Sequence, residues 1–168
     1  STIEVRVHPT LIANDHPLSQ VNGSFNAVYL HGHACKEMML QGRGAGDLPT
    51  ASAVVGDILH AATVDVHVHP TFVNSANADA SLVFTNDWKT RYFLRLSIQD
   101  EPGSLAKIAT WLSSEQVSIA TMMQKAELAG SRVPLIIITH EANEQAIRAA
   151  LAKFDPEVCT VENMIRVE

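Results

Sequence analysis

Two hydrophobic periods divide the chain into elements. Residues 3–7 alternate Ile, Glu, Val, Arg, Val, which is the period of a half-buried strand. Two more short strands follow within residues 26–42, and from Asp47 apolar residues recur near the helical period. Asp47 is a candidate cap and Pro49 suits a first turn, so the pattern predicts a helix from there to about Ala62.

The second half of the chain repeats one pattern twice. A strand within 92–98 precedes a helix with an apolar stripe, and the strand within 132–140 precedes another. The two stripes match position for position, 42 residues apart: Leu105, Ile108, Ala109 and Leu112, then Ile147, Ala150, Leu151 and Phe154. With strands at 117–125 and 158–167, the order is βαββαβ, the ferredoxin-like plait. The apolar third strand should be central and the second, Val117 to Lys125, an edge.

Charge and cysteine usage narrow the function classes. The 168 residues carry 12 Lys and Arg against 18 Asp and Glu, a net charge of −6, without a basic run. This balance excludes nucleic acid and anionic membranes as partners. No apolar stretch approaches the roughly 20 residues that span a bilayer. Cys35 and Cys159 lie far apart, as expected of reduced thiols in the cytoplasm.

A glycine-rich loop precedes the first helix. Gly42, Gly44 and Gly46 stand at alternate positions, which matches neither the dinucleotide fingerprint nor the P-loop. Asp47 would place a carboxylate where a phosphate needs free amides. The loop therefore suits either a tight strand-to-helix turn or close approach of its backbone to a neutral, flat group.

Histidine-rich turns raise the question of a metal site. His31, His33 and Cys35 alternate, and His67 and His69 repeat the spacing. In a strand such residues share one face, as a metal site requires. Because no fourth ligand is evident, the pattern favours an exposed turn, and we assign no metal.

The turn after residue 99 is a candidate effector loop. Asp100 can accept from an ammonium group, while Gly103, Ser104 and Leu105 open a helix whose free amides suit a carboxylate. A plain helix entry explains the same residues, and the pattern alone leaves both interpretations open.

Two blocks resemble a known family. The block "GRGAGDLPTASAVVGDI", with "VRVHPTLIANDHPLSQVNGSFNAVY" before it, resembles the end of the catalytic region of homoserine dehydrogenase. The block "RYFLRLSIQDEPGSLAKIA" resembles the ACT domain that many bacterial members carry afterwards. The resemblance implies an α+β protein in three parts: catalytic-domain strands and a helix at 1–63, a linker at 64–90 and an ACT regulatory domain at 91–168.

The resemblance also implies roles for individual residues. Members of the family interconvert L-homoserine and L-aspartate 4-semialdehyde with NADP or NAD. By this resemblance, Gly46 is the main candidate to lie near the nicotinamide, and Gly44 is the second. ACT domains bind amino acids between paired domains, so Asp100 to Leu105 would hold an effector, with threonine the natural candidate. Ser118 and Ile119 would line the far wall in a homo-oligomer.

Three hypotheses about the chain follow. The nucleotide fingerprint and catalytic lysine of the family have no match here, Lys36 included, so we expect an inactive C-terminal piece of the enzyme. The rivals are a free-standing amino-acid sensor and the ACT-bearing tail of a different dehydrogenase. The unpartnered first strand and the glycine loop favour the first hypothesis.

Overall fold

The chain forms two units. The structure is a computed structural model that describes residues 2–64, 83–85, 88–124 and 132–168. Its contacts group residues 1–11 with 82–168, and residues 12–81 separately. Residues 1–11 thus lie with the second half of the chain, whereas the family resemblance places them in a first part, 1–63. Most of the expected linker, 64–90, lies outside the described residues, and the three-part division stays a prediction.

The described elements run in the following order. They are β1 (Thr2–Ile3), β2 (Thr10–Leu11), a 3-10 turn (Pro17–Gln20), β3 (Phe25–Gly32), β4 (Lys36–Arg43), α1 (Asp47–Thr63), β5 (Val83–Phe84), β6 (Lys89–Gln99), α2 (Ser104–Ser114), β7 (Ile119–Gln124), β8 (Arg132–Thr139), β9 (Ala142–Asn143), α3 (Glu144–Ala152) and β10 (Cys159–Val167). Among them, no helix is long and apolar enough to cross a membrane.

The plait predicted for the second half is confirmed. Elements β6, α2, β7, β8, α3 and β10 follow the βαββαβ order, and the strands lie in the order β10-β6-β8-β7. The apolar β8 is central, and β7 is an edge of the sheet within the described part of the chain. The second strand is described to Gln124, so Lys125 lies outside the described residues.

The core of this unit lies between one sheet face and the two helices. Alternate residues of β6 and β8 face inward, and the predicted helical stripes supply the other side. The fully buried side chains include Tyr92, Leu94, Leu96, Ile108, Leu112, Leu135, Ile137 and Ile147. Burying an aliphatic side chain of this size contributes about 1.5–3 kcal/mol, so these layers stabilise the plait.

The predicted half-buried strand over 3–7 is wrong. Only Thr2–Ile3 pairs, with β5, and residues 4–9 lie outside any strand. Burial in this segment is the reverse of the prediction: the polar Arg6 lies against the ring of Trp88, while the apolar Val7 is fully exposed. An available aromatic face has therefore reversed the expected burial. The chain regains pairing at β2, which adds to β10 in parallel.

The unit of residues 12–81 contains a hairpin and a helix. Strands β3 and β4 pair in register from Phe25↔Arg43 to Gly32↔Lys36, as the two predicted strands require. Helix α1 is confirmed as well, but its cap is Gly46, and Asp47 is the first helical residue. No residue of α1 is buried.

Candidate functional sites

The glycine loop joins β4 to α1. The Gly44 N–H donates to the Ser24 carbonyl at 3.0 Å, which ties the loop to the start of the hairpin. Gly46 has φ +124° and ψ 151°, and its carbonyl accepts from the Thr50 N–H at 3.0 Å. A residue with a side chain is strained in that conformation, so the helix start requires glycine at position 46.

The two glycines have different reasons to lack a side chain. A Cβ on Gly44 would lie 1.6 Å from Asn26 Nδ2, so the Asn26 amide occupies that space. A Cβ on Gly46 would be 3.4 Å from Pro49 Cδ, an ordinary contact, and only the backbone angle demands glycine there. Local structure alone can thus account for both residues.

The loop partly fits the nicotinamide end of a dinucleotide. Residues 44–46 are exposed, and beside Gly42 and Gly44 lies a shallow groove of about 300 Å³. The amides of the first turn carry no side-chain cap in this described segment, but Asp47 adds a negative charge. That charge disfavours a phosphate and permits a neutral ring, so Gly46 fits this role. Gly44 fits only if Asn26 turns aside.

The predicted effector loop connects β6 to α2. Asp100 Oδ1 accepts from Gln124 Nε2 on β7 at 3.2 Å. Gly103 caps α2 in the left-handed conformation, φ +96°, and Ser104 is buried behind it. No side chain of the described residues caps this helix. The Ser104 N–H donates to the Glu101 carbonyl at 3.2 Å, which leaves the amides of Leu105 and Ala106 for an acceptor.

Ser118 and Ile119 lie far from Asp100 in the same chain. Ile119 pairs with Thr139, whereas Gln124, which reaches Asp100, pairs with Leu135 at the opposite end of β7. At about 3.4 Å per residue, the five steps between Ile119 and Gln124 separate them by roughly 17 Å. One chain therefore does not assemble the predicted effector site, although Leu105 is partly exposed beside the loop.

The effector loop also lines a cleft whose other residues sequence reasoning missed; of the predicted effector residues it includes Ser104. It measures about 680 Å³ and is lined by Gln99, Glu101, Pro102, Ser104, Lys107, Arg132, Asp155, Pro156, Glu157 and Val158. Arg132 Nη2 donates to the carbonyls of Ser97 and Pro156, each at 3.2 Å, which anchors the wall. Only spatial proximity brings these charges together, since they are far apart in sequence.

The histidine-rich turn does not gather ligands. His31 lies opposite Glu37 in the hairpin, and within residues 2–64, 83–85, 88–124 and 132–168 no three His, Cys, Asp or Glu side chains are placed to hold a metal ion. His67 and His69 lie outside the described residues.

A cluster centred on Trp88, which the sequence did not indicate, joins distant segments. Arg6 stacks on the Trp88 ring, with Cζ 3.3 Å from its centroid, and Trp88 Nε1 donates to Glu144 Oε2 at 3.1 Å. Glu144 also accepts from Arg166 Nε at 3.0 Å and from Arg148 Nη2 at 2.7 Å. We call Arg6, Trp88, Glu144, Arg148, Arg166 and Tyr92 the Trp88 cluster.

Burial and charge oppose each other at Glu144. Burial alone would raise the pKa of Glu144, but hydrogen bonds from Arg166 and Arg148 outweigh it and lower the pKa below its usual value. Tyr92 donates its hydroxyl to Glu144 Oε2 at 3.3 Å. Its burial and the neighbouring carboxylate raise the pKa of Tyr92 to about 12. At neutral pH the cluster therefore holds an ionised Glu144 and a neutral tyrosine.

Known proteins match the chain along its length. The family model described as homoserine dehydrogenase matches residues 1–59. A homoserine dehydrogenase of Corynebacterium glutamicum is 38% identical over 170 residues, covering 100% of this chain and 38% of the relative. That of Pseudomonas aeruginosa is 40% identical over 162 residues, covering 92% and 37%. The chain is thus similar to homoserine dehydrogenases along its whole length, and its first 59 residues match the family model.

The chain is also similar in three-dimensional structure to a solved homoserine dehydrogenase. The crystal structure of a homoserine dehydrogenase from Thiobacillus denitrificans matches with a TM-score of 0.79 at 36% identity, covering 98% of this chain and 39% of that one. The chain thus spans about two fifths of the length of these homoserine dehydrogenases. The family-model match at 1–59 contains the glycine loop but neither the effector loop nor β7.

Proposed function

We propose that the chain is the C-terminal part of an NAD(P)-dependent homoserine dehydrogenase, which interconverts L-homoserine and L-aspartate 4-semialdehyde. The single observation that carries this proposal is the likeness to the Thiobacillus denitrificans enzyme over 98% of the chain. Residues 1–63 would form the end of the catalytic region, residues 64–90 would be a linker, and residues 91–168 would be an ACT domain that regulates the enzyme. The 168 residues alone would be inactive, because no nucleotide fingerprint occurs among them.

In the intact enzyme the glycine loop would border the cofactor. Gly46 first, and Gly44 second, would allow the backbone to approach the nicotinamide end of NADP or NAD. The bound cofactor would supply hydride exchange with the substrate. The chain's own contribution would be positioning, since an exposed loop of small residues admits a flat ring that larger side chains would exclude.

The plait would bind a free amino acid at a two-fold interface. Strand β7 is an edge of the sheet, and edges favour strand addition by a second copy. An antiparallel pair centred on Thr121 would place Ser118 of one protomer opposite Gln124 of its partner. Gln124 contacts Asp100, so pairing would bring Ser118 and Ile119 to the effector loop.

Threonine has the groups that this assembled site would recognise. Its ammonium would donate to Asp100, and its carboxylate would accept from the first-turn amides of Leu105 and Ala106. As the end product of the pathway that the parent enzyme would serve, threonine is the proposed effector. Binding across the interface would tighten the dimer, because ligand and association then stabilise the same state.

Calorimetric titration of the chain with threonine tests this regulatory role. We expect Asp100→Ala to weaken binding by roughly 1.5–3 kcal/mol, the usual range for a hydrogen bond to a charged group. Asp57→Ala, an exposed aspartate on α1, is the matched control and should leave the heats unchanged. Equal heats for the two variants, or none for the unmodified chain, would show that the plait does not use threonine in this way.

A further inference from the structure

Residues 4–9 lie on the plait unit without strand pairing. We call them the strap, because they join β1 to β2 and the chain then enters the unit of residues 12–81 directly. Arg6 contacts Trp88 through its guanidinium, and the His8 ring lies 5.4 Å from the Trp88 ring. Side-chain stacking on one tryptophan therefore holds the strap.

Hydrogen bonds lead from Trp88 to the proposed effector wall. Trp88 Nε1 and the Tyr92 hydroxyl both donate to Glu144 Oε2, at 3.1 and 3.3 Å. The Tyr92 N–H donates to Thr139 Oγ1 at 3.0 Å. The next residue, His140, donates its N–H to the Ser118 carbonyl at 2.9 Å. Each step joins adjacent elements of one unit, from the strap to the start of β7.

The two ends of this path differ in how firmly they are held. Tyr92 and Thr139 are completely buried, so the middle of the path is rigid. Arg6, in contrast, has a buried Nη1 with no hydrogen-bond partner in the described part of the chain, and its neighbour Val7 is fully exposed. An unsatisfied buried donor offsets part of the stacking energy. Arg6 also pairs with Glu4, but Glu4 belongs to the strap itself, so this ion pair does not tie the strap to the plait. The strap is thus suited to exist in held and released states.

We propose that the strap is a conformational switch: release of Arg6 from Trp88 loosens the Ser118 end of β7. Tyr92 and Thr139 couple the two ends. The effector part of this inference rests on the proposed function, because it treats Ser118 as a wall of the amino-acid site. By linkage, whatever orders Ser118 also favours the held strap. The strap is followed directly by β2, after which the other unit begins at residue 12.

Hydrogen exchange and fluorescence test the switch on the 168-residue chain without any ligand. Trp111→Phe leaves Trp88 as the single tryptophan, whose quenching by acrylamide reports the strap. In this background Arg6→Ala should raise the quenching constant at least about two-fold and speed exchange of the His140 amide roughly 2- to 30-fold, the span of measured couplings between linked sites. Arg95→Ala is the matched control, since Arg95 forms an exposed ion pair with Glu162 in the same unit.

A second variant separates the path from general loosening. Tyr92→Phe removes the hydroxyl bond to Glu144 and keeps the ring, so in this background Arg6→Ala should still expose Trp88 but no longer speed exchange at His140. Unchanged Trp88 quenching in the Arg6 variant would mean that stacking does not hold the strap. Exposure of Trp88 with normal His140 exchange, or an equal response to Arg95→Ala, would overturn the switch. Threonine calorimetry is a separate measurement, so failure of the effector proposal remains distinguishable from failure of the switch.

Discussion

The two units use similar hydrophobic patterns with opposite results. In the plait, apolar residues at helical and strand spacing are buried between α2, α3 and one face of the sheet. In the other unit α1 carries equally apolar residues, yet Val54, Val55, Ile58 and Leu59 are each more than half exposed. Periodicity therefore determines which face of an element is apolar, whereas burial of that face depends on a partner surface. The plait supplies that partner within its own sequence repeat.

The largest expected difference concerns matched isoleucines. Ile137 of β8 is 0% exposed and Ile58 of α1 is 61% exposed. Ile137→Ala should cost roughly 2–5 kcal/mol of the free energy of unfolding, because it leaves a cavity in a packed core. Ile58→Ala should change it by less than about 0.5 kcal/mol, as at other surface positions. Urea unfolding followed by far-UV circular dichroism measures both, and a comparable loss for Ile58→Ala would mean that α1 is covered in solution.

One cysteine in each unit gives a second contrast. Cys35 is exposed in the hairpin turn, while Cys159 begins β10 and is buried. Burial raises the pKa of the Cys159 thiol from its ordinary value of 9.0 to about 11. A two-unit rise lowers the thiolate fraction about 100-fold, and lack of access slows labelling further. In the native protein a thiol reagent should modify Cys35 and not Cys159, and mass spectrometry of the labelled peptides measures this. In urea the reagent should modify Cys159 as well. Prompt native labelling of Cys159 would contradict a closed core.

Sequence reasoning succeeded where local pattern and partner lie in the same repeat. The stripes from Leu105 and Ile147 predicted both helices and their common face, and the apolar character of β8 predicted its central position, because each requires only local spacing and a neighbouring strand. It failed at residues 3–7, where Trp88, about eighty positions away, reversed the burial. Spacing alone gives no information about which aromatic ring a distant arginine meets.

The candidate sites divide in the same way. The position of Gly103 at a helix start follows from the sequence, whereas the pattern indicated Asp47 and not Gly46 as the cap of α1; both glycines have a positive φ, which glycine readily adopts. The clash between Gly44 and Asn26 depends on hairpin register, which the pattern does not determine. Likewise, Asp100 could be proposed from its loop, but its bond to Gln124 requires the sheet order. The type of a residue thus predicts which interactions its side chain can make, and the sheet topology determines which partner it contacts.

A smaller effect should distinguish the half-buried carboxylate of Glu144, whose side chain is 14% exposed, from an ion pair on the surface of the plait. The folded-state pKa of Glu144 is lowered, so its stabilisation is present above the unfolded value, near 4.5, and is lost as pH falls through the folded value. Glu144→Gln should therefore cost about 1–2 kcal/mol at neutral pH and progressively less in acid. Glu162→Gln is the control, since Glu162 pairs with Arg95 on the surface. Identical pH profiles of unfolding free energy for the two variants would argue against the cluster.

The smallest expected effect sharpens the comparison within the glycine loop itself. Gly46→Ala should strain the helix start by about 1 kcal/mol and speed exchange of the Thr50 amide, which donates to the Gly46 carbonyl. The three atoms nearest to a methyl group at Gly44 all belong to the Asn26 side chain, so Gly44→Ala should also speed exchange of the Thr50 amide. Adding Asn26→Ala should return that exchange rate to the value of the unmodified chain. Hydrogen exchange of the α1 amides, read by mass spectrometry, separates backbone strain from a side-chain clash.

This difference determines which glycine can test the cofactor role in an intact dehydrogenase. A branched residue at Gly46 would disturb the helix start whether or not a cofactor lies nearby, so lost activity there would be ambiguous. The Gly44→Ala, Asn26→Ala pair adds a methyl group to the loop with its local clash relieved. It should raise the KM for the nicotinamide cofactor by several-fold while folding stays normal, relative to Asn26→Ala alone. Equal cofactor kinetics in the two variants would leave Gly44 as a packing residue of the hairpin.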